Sequence, residues 1–217
     1  HILKTFYQYF PRGTIHVVIV DPGVGSQRRA IAFQTPEAIF VAPDNGILTE
    51  VWSDARERWG PEGCTVIELT ERRYWRDQVS NTFHGRDIFA PAAAHLAAGV
   101  LITALGPRLA AIQEAIFEQP TRGRNGELVG RIIHVDHFGN CITNVTPRDL
   151  ERAGKGKDLT ITIIDQHISG LHQTYADGPI GALMALIGSS DHLELAVRNG
   201  NAAQTLGVGI GDIVRIR

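Results

Sequence analysis

Near residue 120 the chain changes its patterning, and that change limits the folds open to it. Up to Phe117, β-like runs at 16–20, 30–33, 38–41 and 65–69 alternate with runs of helical period at 48–59, 87–98 and 109–117. Such alternation argues for a Rossmann-like α/β domain with a mostly parallel sheet. Between Glu118 and Glu127 stands Gln-Pro-Thr-Arg-Gly-Arg-Asn-Gly, rich in turn formers and poor in anything that packs, which marks a boundary. Beyond it helical period fades, and short β-rich runs at 128–135, 159–164, 182–187, 193–197 and 213–216 are separated by Gly, Asn and Asp. Five or so strands at this spacing predict a small β-barrel or sandwich. The expected division is an α/β domain over 1–119 and a β-barrel domain over 126–217, within what 217 residues can bury.

Charge excludes one class of partner. With 21 basic and 23 acidic side chains spread along the sequence, for a formal net charge of −2, nothing forms the basic footprint of a nucleic-acid binder. The most apolar stretch, 92–105, is shorter than the roughly 20 residues a bilayer span needs and contains His95, so it predicts a core helix and no membrane anchor. Cys64 and Cys141 lie far apart and make no metal spacing, which suits a reducing, cytoplasmic setting. No signal peptide is visible, although the chain begins at His1 and not at Met.

Four polar turns carry the candidate chemistry. The run Val17 to Arg28 ends a strand in Asp21, turns on Gly23 and Gly25, and arrives at Arg28, setting an anion and a cation where open α/β sheets place ligands. Arg28 stands where a dinucleotide fingerprint requires its third glycine, and no helix pattern follows, which argues against a Rossmann oxidoreductase. Taken alone, Asp21 and Arg28 read better as a structural ion pair, and it is the company of the other polar turns that favours a site. Phe83, His84 and Gly85 lie just before a helix with Asp87 at its N-cap position, and Gly85 allows backbone to approach a ligand. Asp44 and Asn45 form a turn that supports the site or simply starts the next helix. Asp136, Phe138 and Asn140 combine acid, aromatic ring and amide in one loop, which suits a heterocyclic base as well as it suits a turn. His134 and His137 around Asp136 could be drawn as a metal pair, but strand alternation points them to opposite faces. No Gly-x-Ser-x-Gly elbow is present to support acyl transfer.

Together these segments resemble a known family. Asp-Pro-Gly-Val-Gly-x-x-Arg at 21–28, Pro-Asp-Asn-Gly at 43–46, Thr-Phe-His-Gly-Arg-Asp-Ile-Phe-Ala-Pro at 82–91 and Asp-x-Phe-Gly-Asn-x-x-Thr-Asn at 136–144 are similar, in order and from end to end, to the S-adenosylmethionine hydroxide adenosyltransferases, relatives of the fluorinating and chlorinating enzymes. The resemblance implies an α/β domain followed by a β-barrel, assembled as a homotrimer, with substrate between the first domain of one subunit and the second domain of its neighbour. It implies hydrolysis of S-adenosylmethionine to adenosine and methionine, without metal or cofactor. The hydrolytic triad falls on Asp21, Arg28 and His84. Halogenating relatives carry a tyrosine and a threonine where this chain has Asp21 and Val24, and a tyrosine in place of His84, so the chain resembles the water-using branch. Asp136 matches the residue gripping the methionine ammonium, and Phe83 and Asn140 match residues lining the nucleoside pocket. Ser190 and Arg198 match ligand contacts in the barrel, and Asn199 beside Arg198 is taken with them.

Two departures bear on that resemblance. The family opens with a Thr-Asp-Phe-Gly segment whose acid holds the ribose hydroxyls, and this chain starts after it, leaving about fifty residues and a central strand expected ahead of His1. The serine matching Ser190 is followed in halogenating relatives by an arginine, whereas Asp191 stands here. Within the triad, the expectation is that Arg28 stabilises a developing hydroxide, Asp21 orients and His84 takes the proton. The alternatives are a halide-using adenosyl transferase, a non-catalytic S-adenosylmethionine or nucleoside binding module, and a metal-dependent hydrolase built on Asp21, Asp44, His84 and Asp136.

Overall fold

A computed structural model describes residues 2–153 and 159–217. These form two compact units, one ending at Ile116 and the other beginning at Phe117. After the short helix α1 (Ile2–Phe6), the first unit holds β1 (Thr14–Val17), β2 (Ala30–Gln34), β3 (Ala38–Pro43), β4 (Thr65–Glu68) and β5 (Arg108–Leu109), in the sheet order β1-β3-β2-β4-β5. Only the β1/β3 pair is parallel, so the sheet is mixed, not mostly parallel. The reason lies in a connection: Thr35, Pro36 and Glu37 are all that joins β2 to β3, too few for a crossover, so the two must run antiparallel.

Alternation along β2 sorts side chains to two faces. Ile31 and Phe33 join Phe40, Leu48, Val51, Trp52 and Ala55 under helix α2 (Thr49–Trp59), while Ala30 and Ala32 join Val41, Ile67, Phe89, Ala92 and Leu96 under helix α3 (Ala90–Ala97). Helices therefore cover both sides, which is why β2 is apolar from Ala30 to Phe33. The segment 109–117, helical in period, forms no helix. β5 pairs with β4, and beyond it Asp44 Oδ1 accepts from the Gln113 N–H at 2.6 Å and Thr49 Oγ1 from the Ala115 N–H at 2.8 Å. Tertiary partners for these amides override a helical preference worth only tenths of a kcal/mol per residue. Asp87 is not an N-cap either. It sits inside a π-turn over Gly85–Phe89, fully buried, and its carboxylate folds back to the Ser80 N–H at 2.8 Å and to Arg86.

The second unit holds β6 (Thr121–Arg122), β7 (Leu128–Val135), β8 (Cys141–Thr143), helix α4 (Pro147–Arg152), β9 (Thr160–Ile163), β10 (Gln166–Ser169), β11 (Leu183–Ile187), β12 (Leu193–Val197), helix α5 (Ala202–Leu206) and β13 (Ile213–Ile216). The order β10-β9-β13-β7-β8-β12-β11 is antiparallel throughout. It nearly closes, because the His172 N–H just past β10 reaches the Ala185 carbonyl of β11 at 2.8 Å. Ile132, Cys141, Ile161, Ile163, Leu193, Leu195, Val214 and Ile216 fill the interior of this barrel-like sheet. Among the described residues, no helix is long and apolar enough to cross a membrane.

His16 on β1 stacks on Phe40 at 5.0 Å, with Tyr7 and Phe10 edge-on, and its Nε2 is buried without a hydrogen-bond partner among the described residues. Burial pushes its pKa below the ordinary 6.5, so the folded state holds it neutral while the unfolded chain takes up a proton near that value. The stability it permits is present above pH 6.5 and is lost as pH falls toward the lower folded value. His16→Phe keeps the stacking and removes the proton. Its Tm advantage over the parent is expected to widen from pH 8 to pH 5, and a constant difference would contradict the burial.

Candidate active site

Parallel pairing puts the carboxyl ends of β1 and β3 at one edge of the sheet, and the loops that leave them meet there. The Asn45 side-chain amide, in the turn after β3, donates to the Val20 carbonyl at 2.9 Å and steadies the chain one residue before Asp21. From Asp21 the backbone turns twice, Val24 N–H to the Asp21 carbonyl and Ser26 N–H to the Gly23 carbonyl, returning Arg28 beside Asp21. Gly25 has φ of +80°, and a Cβ there would lie 2.7 Å from the Asn81 carbonyl oxygen. Only glycine lets this turn rest against the segment that leads to His84.

The three residues converge. Arg28 Nε donates to both Asp21 oxygens at 2.9 Å, and Arg28 Nη2 donates to Oδ2 as well, with both side chains at least nine-tenths buried. The same Nη2 lies 2.9 Å from His84 Nδ1, and the guanidinium rests 5.2 Å from the Phe89 ring centre. A guanidinium has no lone pair to offer, so Nδ1 must be the acceptor. His84 is therefore a neutral imidazole with its proton on Nε2.

What holds His84 is the π-turn that follows it. Arg86 and Asp87 both donate their N–H groups to the Phe83 carbonyl, and Arg86 closes over the Phe83 ring at 5.1 Å. Asp87 is gripped by Arg86, by Arg76 at 3.6 Å and by the Ser80 N–H, and these partners hold its carboxyl down at about 2. Phe83 itself is 59% exposed beside the triad, and Gly85 faces Ile19. Asp44 serves the scaffold instead. Its buried carboxylate takes Arg29 on one oxygen and the Gln113 N–H on the other, fastening the 110–115 segment.

The barrel unit contains a cavity of about 850 Å³ lined by Asp136, Phe138, Asn140, Tyr175, Arg198 and Asn199, among others. Asp136 holds its own loop in shape, with Oδ1 accepting from the Phe138 and Asn140 N–H groups and Oδ2 from the Asn140 side chain at 2.9 Å. Gly139, at φ of +85°, is required because a Cβ would meet the Asn201 amide at 2.1 Å. Phe138 is left 73% exposed at the cavity. Ser190 does not line it; its carbonyl accepts instead from His192 Nδ1 at 2.7 Å. The carboxylates of Asp21 and Asp44 each belong to an arginine, and among the described residues no group of three or more His, Cys, Asp and Glu side chains could hold a metal ion. Tyr175 escaped sequence reasoning because it lies outside the glycine-rich turns that signalled the rest, whereas Phe89, within the 82–91 motif, and Asn201, beside Gly200, read only as packing and turn residues.

Comparison with known proteins follows the same two units. The SAM hydroxide adenosyltransferase N-terminal domain matches residues 1–106 and the C-terminal domain of the same name matches 130–215. A protein from Salinispora arenicola named (R)-S-adenosyl-L-methionine hydrolase is 35% identical over 99% of this chain and 78% of its own length. One of the same name from Thermus thermophilus is 35% identical over 96% of this chain and 77% of its own. A fluorinase from Nocardia brasiliensis is 30% identical over 96% of this chain and 78% of its own. The crystal structure of an uncharacterized conserved protein from Thermotoga maritima superposes with a TM-score of 0.86 at 34% identity, covering all of this chain and 81% of that one.

Gly25→Ala is expected to cost about 1–2 kcal/mol for the left-handed backbone alone, with the Asn81 collision added. Urea unfolding measures it, and a variant as stable as the parent would contradict the packing of the two loops.

Proposed function

The chain belongs to the SAM hydroxide adenosyltransferase family, and we propose that it hydrolyses S-adenosyl-L-methionine to adenosine and L-methionine. The observation that carries this is the Asp21–Arg28–His84 cluster, a carboxylate, a guanidinium and a neutral imidazole within hydrogen-bond reach of one another. The sulfonium is already a cationic leaving group, so what the protein must do is present water to the ribose 5′ carbon. Water oxygen bonds to that carbon as the carbon–sulfur bond breaks, the bonding pair neutralises sulfur, and one proton is released. Positioning of the two reactants accounts for about 7–11 kcal/mol of barrier, which leaves the side chains a tuning role and calls for no metal or cofactor.

The tautomer of His84 reassigns that tuning. With Nδ1 spoken for by Arg28, the imidazole donates through Nε2 and orients the water, so we assign the proton to Asp21, whose oxygens keep lone pairs beyond those given to Arg28. Arg28 stabilises the developing hydroxide, and Asp21 offsets its charge next to a cationic substrate. The same neutrality disfavours a halide, which would meet the Asp21 carboxylate and no surplus positive charge. We propose that the barrel cavity takes the nucleoside and methionine portions, with Asp136 at the ammonium, Phe138 and Asn140 about the base, and Arg198 and Asn199 at the wall, while Phe83 lines the base and Gly85 gives close approach from the first domain of the neighbouring subunit. Ser190 is retained only through its family match. As the resemblance implies, we take the assembly to be a homotrimer, with the first domain of one subunit and the second domain of its neighbour sharing the substrate. A reducing, cytoplasmic setting fits the two free, buried cysteines.

Asp21→Asn is expected to lower kcat about 10²–10⁴-fold, the usual worth of a positioned base, and Arg28→Ala and His84→Ala to lower it markedly. Adenosine release from S-adenosylmethionine is the readout, and unchanged rates in all three would refute the assignment. Chelator should leave the rate as it is; strong inhibition would favour metal-dependent hydrolysis. With chloride or fluoride present, no 5′-halogenated nucleoside is expected, and its appearance would favour the halide reading.

A further inference from the structure

Inside the barrel unit a buried carboxylate has no part in the chemistry above. Glu194 is the second residue of β12, a strand buried along its whole length, and is itself only 6% exposed. Gly188 makes room for it, since a Cβ there would stand 2.5 Å from Glu194 Oε2. Its other oxygen accepts the Tyr175 hydroxyl at 2.6 Å. Burial and the nearby Asp136 charge push the Glu194 carboxyl up, and burial pushes the Tyr175 phenol up, while the tyrosine hydroxyl donates to the carboxyl oxygen between them.

A carboxylate in such a place is a poor device for stability. Desolvation costs it several kcal/mol in general, and an apolar residue of the same volume usually does as well or better. What it secures is the tyrosine. Tyr175 opens a short turn closed by a Thr174–Asp177 capping box, and Arg198 pins the same turn by donating to the carbonyls of Ala176 at 2.9 Å and Gly178 at 2.5 Å. The turn is thus fastened by two charged side chains from β12 and the residue after it, and the Tyr175 ring, 45% exposed, forms a wall of the 850 Å³ cavity with Phe138 and Asn140.

We propose that Glu194 is a positioning residue that fixes Tyr175 as a preset aromatic wall for the nucleoside. This rests on the reading of the cavity as the site for the adenosyl group. An aromatic ring held in place before the ligand arrives spares the entropy of ordering it on binding. Arg198 then acts through the backbone of the same turn.

Calorimetric binding of adenosine and of methionine to the full chain, with steady-state kinetics on S-adenosylmethionine, tests it. Glu194→Leu is expected to weaken adenosine about five- to tenfold, the scale of one lost hydrogen bond. The same variant should raise KM in proportion, with kcat and methionine binding within about twofold and Tm unchanged or raised. Glu194→Gln, which keeps an acceptor, should stay within about twofold of the parent. Tyr175→Phe should resemble Glu194→Leu, and the double variant should be no worse than the poorer single one. If Glu194→Leu fails to fold, Tyr175→Phe carries the test unaided. Unchanged adenosine affinity, loss of methionine binding instead, equal damage from Gln and Leu, or multiplying effects in the double variant would each overturn the proposal. A parent protein that releases no adenosine would overturn the reading beneath it, whereas turnover by the parent with an indifferent Glu194→Leu would overturn this proposal alone.

Discussion

The ion pair between Asp21 and Arg28 is the interaction on which the rest of the site depends. Three donor contacts fix the plane of the guanidinium against the carboxylate, and Phe89 closes the face beneath it. Once that plane is set, the second N–H of Nη2 meets His84 Nδ1, and the direction of that bond decides which ring nitrogen carries the proton. Removing either partner of a pair this deeply buried leaves a stranded charge, a loss of about 3–5 kcal/mol in general. Under the proposed function the same residues serve stability and chemistry, and the buried charge is tolerated because it is matched.

Everything around the pair keeps two separate loops in register. One parallel strand pair in an otherwise antiparallel sheet brings two carboxyl ends together, and Asn45 ties the second loop to the first. Gly25 supplies the only backbone that fits against Asn81, and the buried Asp87 anchors the far side of the π-turn that carries His84. A π-turn is rare and strained relative to an α-helix, and such turns recur where side chains must be aimed. In the barrel unit the Asp136 loop is likewise shaped by its own side chain, which leaves Phe138 standing free at the cavity.

Much of the site was legible in the residues. Asp21, Arg28 and His84 stood out because each lies in a turn too rich in glycine and polar groups for packing alone, and the structure brings the three together. Asp136, Phe138, Asn140, Arg198 and Asn199 meet at one cavity, while Ser190 does not. The β-rich second half was readable from its strand runs, although β8, at three residues, was too short to stand out and β10, Gln-His-Ile-Ser with only Ile168 buried, lacks an apolar run. Sheet direction was misread because period identifies strands without saying how they connect; the three-residue turn at 35–37 held that information. Helical period at 109–117 misled because Asp44 and Thr49, distant in sequence, claim its amides. Asp87 had the composition of an N-cap but is drawn inward by Arg76, Arg86 and the Ser80 N–H, partners no local rule supplies. Glu194 gave no signal at all, since one acid within an apolar strand resembles an ordinary exposed position until its neighbours are known.

The protonation state of His84 is the most direct measure of whether this clamp works as described. Nitrogen-15 NMR of the imidazole should show Nδ1 as an acceptor without hydrogen and Nε2 carrying the proton, with Arg28→Ala removing that preference. A parent His84 that carries its proton on Nδ1 would contradict the clamp and return the role of base to the histidine.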